Sequence, residues 1–196
     1  MRDIPIIYSG PMVRALLDGR KTMTRRLAWR FDFSKTEVIE GGAHVSQKRP
    51  SPWQKVKPGD RLWVREGFRP VHSGDPSRGA KYLADVERDQ TVWRPSIHMP
   101  RWASRLTLVV TATKVERLQD ISEEDARAEG MPVNHNGEYY EPPPPSVDGW
   151  QGYGRASFSL LWSGLHGKKS WGANPEVVAL TFTVHACNID AMKAAA

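Results

Sequence analysis

The chain has 196 residues, with 28 Lys+Arg against 22 Asp+Glu for a formal net charge of +6, and 39% hydrophobic beside 26% charged residues. That balance is globular, excludes wholesale disorder, and at this length favours one domain with a real core. No apolar run approaches the roughly 20 residues that span a bilayer, Met1-Arg2-Asp3-Ile4-Pro5 is no signal peptide, and a lone Cys187 excludes an internal disulfide or a Cys-based zinc cage.

In chain order, Ile4 to Tyr8 reads as a short buried strand closed by Ser9-Gly10. Met12, Val13, Ala15, Leu16 and Leu17 give residues 11–18 a one-sided helical pattern, stopped at Gly19. Arg20 to Arg26 is polar and basic without core periodicity, so a loop or an extended edge is expected. Residues 28–55, with Gly41-Gly42, Pro50 and Pro52, read as a loop-like insertion. Pro58-Gly59-Asp60 is a turn, and Arg61 to Glu66 alternates as a strand does. Residues 69–103 are irregular around one weak strand at Lys81-Tyr82-Leu83.

The best strand lies within Ser104 to Leu118, with β-branched residues on both faces, which predicts burial on both sides. Ser122 caps a short helix, with Asp125 three residues on, and Gly130 ends it. Residues 131–153 carry Pro142 to Pro145 and are expected as a surface loop. Phe158, Leu161, Trp162 and Leu165 mark a second amphipathic helix, Glu176 to Ala186 a closing strand, and residues 188–196 a frayed tail. Sequential strands with few crossover helices predict an α+β protein built on a small, mostly antiparallel barrel, a single domain over residues 1–187.

Two tempting motifs fail. Gly167-Lys168-Lys169-Ser170 follows a helix where a phosphate loop needs a strand, and Gly149, Gly152 and Gly154 lack a preceding strand. The six histidines show no paired ligand spacing, so no metal is expected.

Charge is more informative. From Arg14 to Arg30 six basic side chains face Asp18 alone, while from Glu116 to Glu129 six acids face two bases. Two solvated, mutually compensating faces are the plain explanation. Lys21 and Thr24, placed in a loop past a capped helix, allow a second reading. A lysine beside Arg20, Arg25 and Arg26 has its pKa lowered by like charge, which suits a general base for a threonine hydroxyl. Residue pattern alone leaves both readings open.

Gly19-Arg20-Lys21-Thr22-Met23-Thr24-Arg25-Arg26 closely resembles the signature of the ASCH domain family, whose fold is a PUA-like β-barrel with short flanking helices. Pro58 to Glu66 is similar to the second family block. Leu106 to Thr113, Ser122 to Met131 and Val177 to Val184 follow in family order, and Trp93 to Trp102 looks like longer ASCH proteins of phages and prophages. The resemblance covers about half the chain, which is nearly twice the length of the small family members, with insertions at about 28–55, 69–103 and 131–153.

The small bacterial members hydrolyse N4-acetylcytidine with a lysine, a threonine and a glutamate, and the matching string places those catalytic roles on Lys21, Thr24 and Glu129. The resemblance implies substrate-binding roles for Arg26, Arg25, Trp63 and Glu66. A glutamate at a helix C-terminus is ill placed against the helix dipole, and a nearby Lys21 or Arg26 would ease it. The expectation is a cytoplasmic amidohydrolase that needs no cofactor, acts on an N4-acylcytidine-type nucleoside and has no membrane partner. The alternatives are an RNA-binding PUA-like module, with the basic segment on phosphates and Trp63, Trp93 or Trp102 stacking bases, and a ribonuclease.

Overall fold

Gly19 shows how local chemistry shapes this chain. It adopts φ 72°, a conformation cheap only for glycine, and turns the chain sharply after the first helix. The computed structural model describes residues 1–38, 44–71, 79–86, 92–131 and 153–194. Strand β1 (Asp3–Ile7) leads into helix α1 (Gly10–Leu17), and the turn at Gly19 delivers β2 (Met23–Leu27). The hairpin β3 (Trp29–Val38) and β4 (His44–Pro50) follows, then β5 (Arg61–Arg65), β6 (Phe68–Pro70) and β7 (Ala80–Tyr82). The long β8 (Thr107–Arg117), helices α2 (Glu123–Ala128) and α3 (Tyr153–His166), β9 (Glu176–His185) and α4 (Ile189–Ala194) complete the order.

The molecule is α+β. Five strands form one sheet in the order β1-β5-β8-β9-β2, with β1 parallel to β5 and every other neighbour antiparallel. Among the described residues no strand pairing joins β1 to β2, so the sheet is not a closed hydrogen-bonded barrel. It is curled enough that the Arg26 guanidinium on β2 donates to the Ile7 carbonyl on β1 at 2.8 Å. Ile6, Leu62, Val64, Leu108, Val110, Val178, Leu180 and Phe182 from β1, β5, β8 and β9 share one core with Val13 and Leu16 of α1.

Strand β9 is buried on both faces over Val177 to Leu180. Val178, Leu180 and Phe182 enter that core, while Val177 packs with Phe158 and Trp162 of α3 and with Leu118, Ile121 and Ala126 in a second cluster. Helix α3 is clasped to α2 at its start. The Glu123 carboxylate accepts from the backbone N–H of Gly154 at 2.8 Å and of Arg155 at 3.1 Å, two donors that a helix N-terminus leaves free.

The extended edge expected for Arg20 to Arg26 is present as β2, at the rim of the sheet. Other expectations change. Residues 28–55 are not a loop but carry the β3–β4 hairpin. Strand β8 is buried only over its first half. Past a register shift between Val110 and Ala112 its side chains reach solvent until Glu116. The tail does not fray at Asn188. Ile189 of α4 is fully buried, and Asn188 donates to the carbonyls of Arg101 and Ser104. The proline run at 142–145 lies outside the described residues.

Candidate active site

Pairing with β9 sorts the side chains of β2. Opposed residues of antiparallel strands share a face, so Thr24 (opposite Leu180) and Arg26 (opposite Val178) look toward the sheet core, and Arg25 (opposite Ala179) looks toward α2 and α3. Lys21 precedes the strand in an isolated bridge with Glu129. Its N–H donates to the Ala15 carbonyl at 2.9 Å, and the next N–H, of Thr22, donates to Ala128 at 2.8 Å. These bonds fasten the segment between α1 and the end of α2.

Gly130 permits the close approach. At φ 79° it turns the chain out of α2, and a Cβ there would lie 2.7 Å from the Lys21 Cβ and 3.0 Å from the Ala15 Cβ. Only glycine fits so near Lys21.

The Lys21 amine is 1% exposed and commits its three N–H donors to Glu129 Oε2 at 2.7 Å, the Glu129 carbonyl at 2.9 Å and the Met23 carbonyl at 2.9 Å. Burial pushes its pKa down. Glu129 opposes that shift, while Arg26 and Arg25 add to it, so the net direction is downward. The direction is the one expected from like charge, but burial is its chief cause, and Arg20 is turned away to Asp18.

Arg25 is fully buried and held by three carboxylates: Glu116 at 2.7 Å, Asp125 at 2.6 Å and Glu129 at 3.3 Å. Burial raises the Glu116 pKa, yet Lys114 and Arg25 outweigh it and hold the group below the usual carboxylate range. The basic and acidic segments are therefore not two solvated faces. They meet in one buried network in which Glu129 bridges Lys21 and Arg25. Glu129 is eased by Lys21 and Arg25, not by Arg26.

Beside this network opens a cavity of about 340 Å³ whose wall includes Thr24, Arg25, Arg26 and Glu129, closed by Phe158, Leu161, Trp162 and His166 of α3. Lys21 lies behind that wall. Tyr8, which sequence reasoning passed over as strand filling, also faces the cavity. Burial pushes its hydroxyl up to about 12, with Arg26 and Thr24 pulling the other way, so it is a neutral donor at ordinary pH. The hydroxyl is buried, with the Thr24 and Arg26 side chains close enough to act on it but no well-formed hydrogen bond among the described residues. A tyrosine at the end of an otherwise aliphatic strand was the available signal, since a buried phenol normally has a partner.

His166, also missed, stacks on Trp162 with ring centroids 4.1 Å apart. Burial, with Arg26 adding to it, lowers its pKa.

Two expected binding residues stand elsewhere. Trp63 lies on β5 under the Arg65 guanidinium, and Glu66 is buried in an ion pair with Arg105 at 2.9 Å, burial holding its carboxyl above the usual range. Neither lines the cavity, and neither do Trp93 or Trp102. The structure brings Thr24, Arg25, Arg26 and Glu129 to the cavity and Lys21 directly behind it. No family model, no curated protein and no solved structure matches the chain.

Proposed function

We propose that the chain is an amidohydrolase that removes the acyl group from N4-acylated cytosine nucleosides, on a PUA-like scaffold of the ASCH type and in the cytoplasm. The observation that carries this reading is the buried Lys21–Glu129 pair, whose Glu129 shares a cavity wall with Thr24.

A buried ammonium with all three hydrogens engaged has no lone pair to offer. Lys21 becomes a base when its ammonium loses one proton to solvent, leaving an amine beside the Glu129 carboxylate 2.7 Å away. Burial disfavours the ammonium and so favours that loss. The amine takes the Thr24 proton as Oγ1 attacks the acyl carbon, and the C–N4 bond breaks from the tetrahedral adduct. The proton returns to N4, so cytidine leaves as the neutral amine and the acyl group remains as an ester on Thr24. Water, activated by the same amine, hydrolyses the ester to the carboxylic acid.

Tyr8 supplies the neutral O–H donor to the oxyanion, a role in which a preset donor is worth on the order of 10²-fold or more. Arg25 positions Glu129. No cofactor enters the scheme. Incubation of the protein with N4-acetylcytidine, followed by chromatography for cytidine and acetate, tests the reading. Release that disappears in Thr24→Ala supports it, and no release by wild type overturns it.

A further inference from the structure

A second cavity, of about 560 Å³, lies against the first, and the two share Arg26 and His166 as a common wall. Its far side is built by Trp29 and Arg30 at the start of β3 and by Trp53 in the turn after β4. These residues belong to the 28–55 segment that lengthens this chain relative to the small proteins it resembles.

The charges of the two cavities are arranged differently. Arg25, in the first, is neutralised by three carboxylates, whereas among the described residues Arg26 pairs with no carboxylate and none lines the second cavity. The Arg26 guanidinium is held between two rings, 5.3 Å from the Tyr8 centroid on one side of the wall and 5.5 Å from the Trp53 centroid on the other. The Trp29 indole is fixed by a 2.7 Å hydrogen bond to Glu176. An immobilised, uncompensated cation at the junction, with two indoles beyond it, is the donor set that single-stranded nucleic acid uses: a cation for the backbone phosphate and an aromatic face for the base.

We propose that the second cavity takes the nucleotide adjoining an N4-acylcytidine in an oligonucleotide, with the bridging phosphate at Arg26 and the neighbouring base against Trp53 and Trp29. The inference rests on the reading of the first cavity as a cytosine nucleoside site. It makes the β3–β4 hairpin a specificity element.

Isothermal titration of the full chain with cytidine and with the unmodified dinucleotides cytidylyl-adenosine and adenylyl-cytidine tests it, at 50 and 200 mM salt. At least one dinucleotide is expected to bind about tenfold or more tightly than cytidine, the scale of one base stacked on an aromatic side chain. Its affinity should fall roughly two- to threefold between the two salt concentrations, as one neutralised phosphate requires. Trp53→Ala and Arg30→Glu should each bring the dinucleotide-over-nucleoside ratio toward one. Arg30 is exposed, so its variant stays interpretable if Trp53→Ala folds poorly.

Equal affinity for cytidine and both dinucleotides overturns the proposal, and so does a preference that survives Arg30→Glu. Hydrolysis of N4-acetylcytidine is read separately. Turnover without a dinucleotide preference overturns the second cavity alone, and a preference without turnover overturns the hydrolase reading alone.

Discussion

Glu129 holds Lys21 twice, through its carboxylate at 2.7 Å and through its own main-chain carbonyl at 2.9 Å. One residue thus supplies both a charge and a fixed acceptor to a lysine that is fully buried. Loss of the Glu129 charge strands the Lys21 ammonium in the interior, which costs about 3–5 kcal/mol, whereas loss of Lys21 leaves Glu129 only its longer 3.3 Å pair with Arg25. Lys21→Ala and Glu129→Gln should therefore both lower thermal stability, the opposite of what a loop lysine and a solvated helix-end carboxylate would give. Calorimetric melting of the two variants checks this. Unchanged melting temperatures would mean that the pair is solvated.

Thr24 separates chemistry from stability. Its side chain is buried but small, so Thr24→Ala should shift stability by about 1 kcal/mol or less while lowering kcat by on the order of 10³-fold or more. Steady-state kinetics beside a melting curve reads both quantities. A Thr24→Ala enzyme with near-normal turnover would remove Thr24 as the nucleophile.

The pH profile follows from the direction of the Lys21 shift. Burial lowers its pKa, so kcat/KM should rise with pH along a limb whose midpoint lies below the unperturbed lysine value of about 10.4. Glu129 acts to raise that pKa, so Glu129→Gln should move the limb to lower pH. In the window between the lowered folded value and about 10.4 the unfolded chain carries the extra proton, so the Lys21 contribution to stability increases with pH there. A flat wild-type profile, or a limb that moves upward in the variant, would remove Lys21 as the base.

Tyr8→Phe tests the oxyanion assignment. The hydroxyl makes no well-formed hydrogen bond among the described residues, only loose contacts with Thr24 and Arg26, so its removal should change stability little. The expected loss is on the order of 10²-fold in kcat with little change in KM. A loss confined to KM would make Tyr8 a binding residue only.

Gly130→Ala should cost about 2 kcal/mol or more, because the left-handed backbone and the 2.7 Å approach to Lys21 penalise the same methyl group. A two-state denaturant titration gives the value. A neutral result would show that the end of α2 can retreat from Lys21.

Much of this arrangement was legible in the residues. Strands β5, β8 and β9 and helix α3 follow from alternation and from the spacing of Phe158, Leu161 and Trp162, and Ser122 caps α2 by accepting from Asp125 N–H at 3.0 Å. The Arg20 to Arg26 segment was harder. Its strand carries charge on both faces, because one face meets a cavity and the other meets buried carboxylates, so no apolar period marks it. The same cause hid the network, since Arg25 and Glu116 are 91 positions apart and nothing local announces their pairing. Trp63 and Glu66 stand apart from the cavity for the reverse reason. Both sit in a well-marked strand block, and that strand's end faces Arg65, Met99 and Arg105 instead of the cavity.

Arg101 binds Asp3 of β1 at 2.6 Å and Asp190 of α4 at 2.7 Å with the same guanidinium nitrogen. The first strand and the last helix are therefore neighbours in space. Such adjacency is the geometric condition for circular permutation. The order in which the elements are synthesised is then separable from the order in which they pack. Catalysis would depend on the segments around Lys21 and Glu129 staying intact, and not on which element comes first.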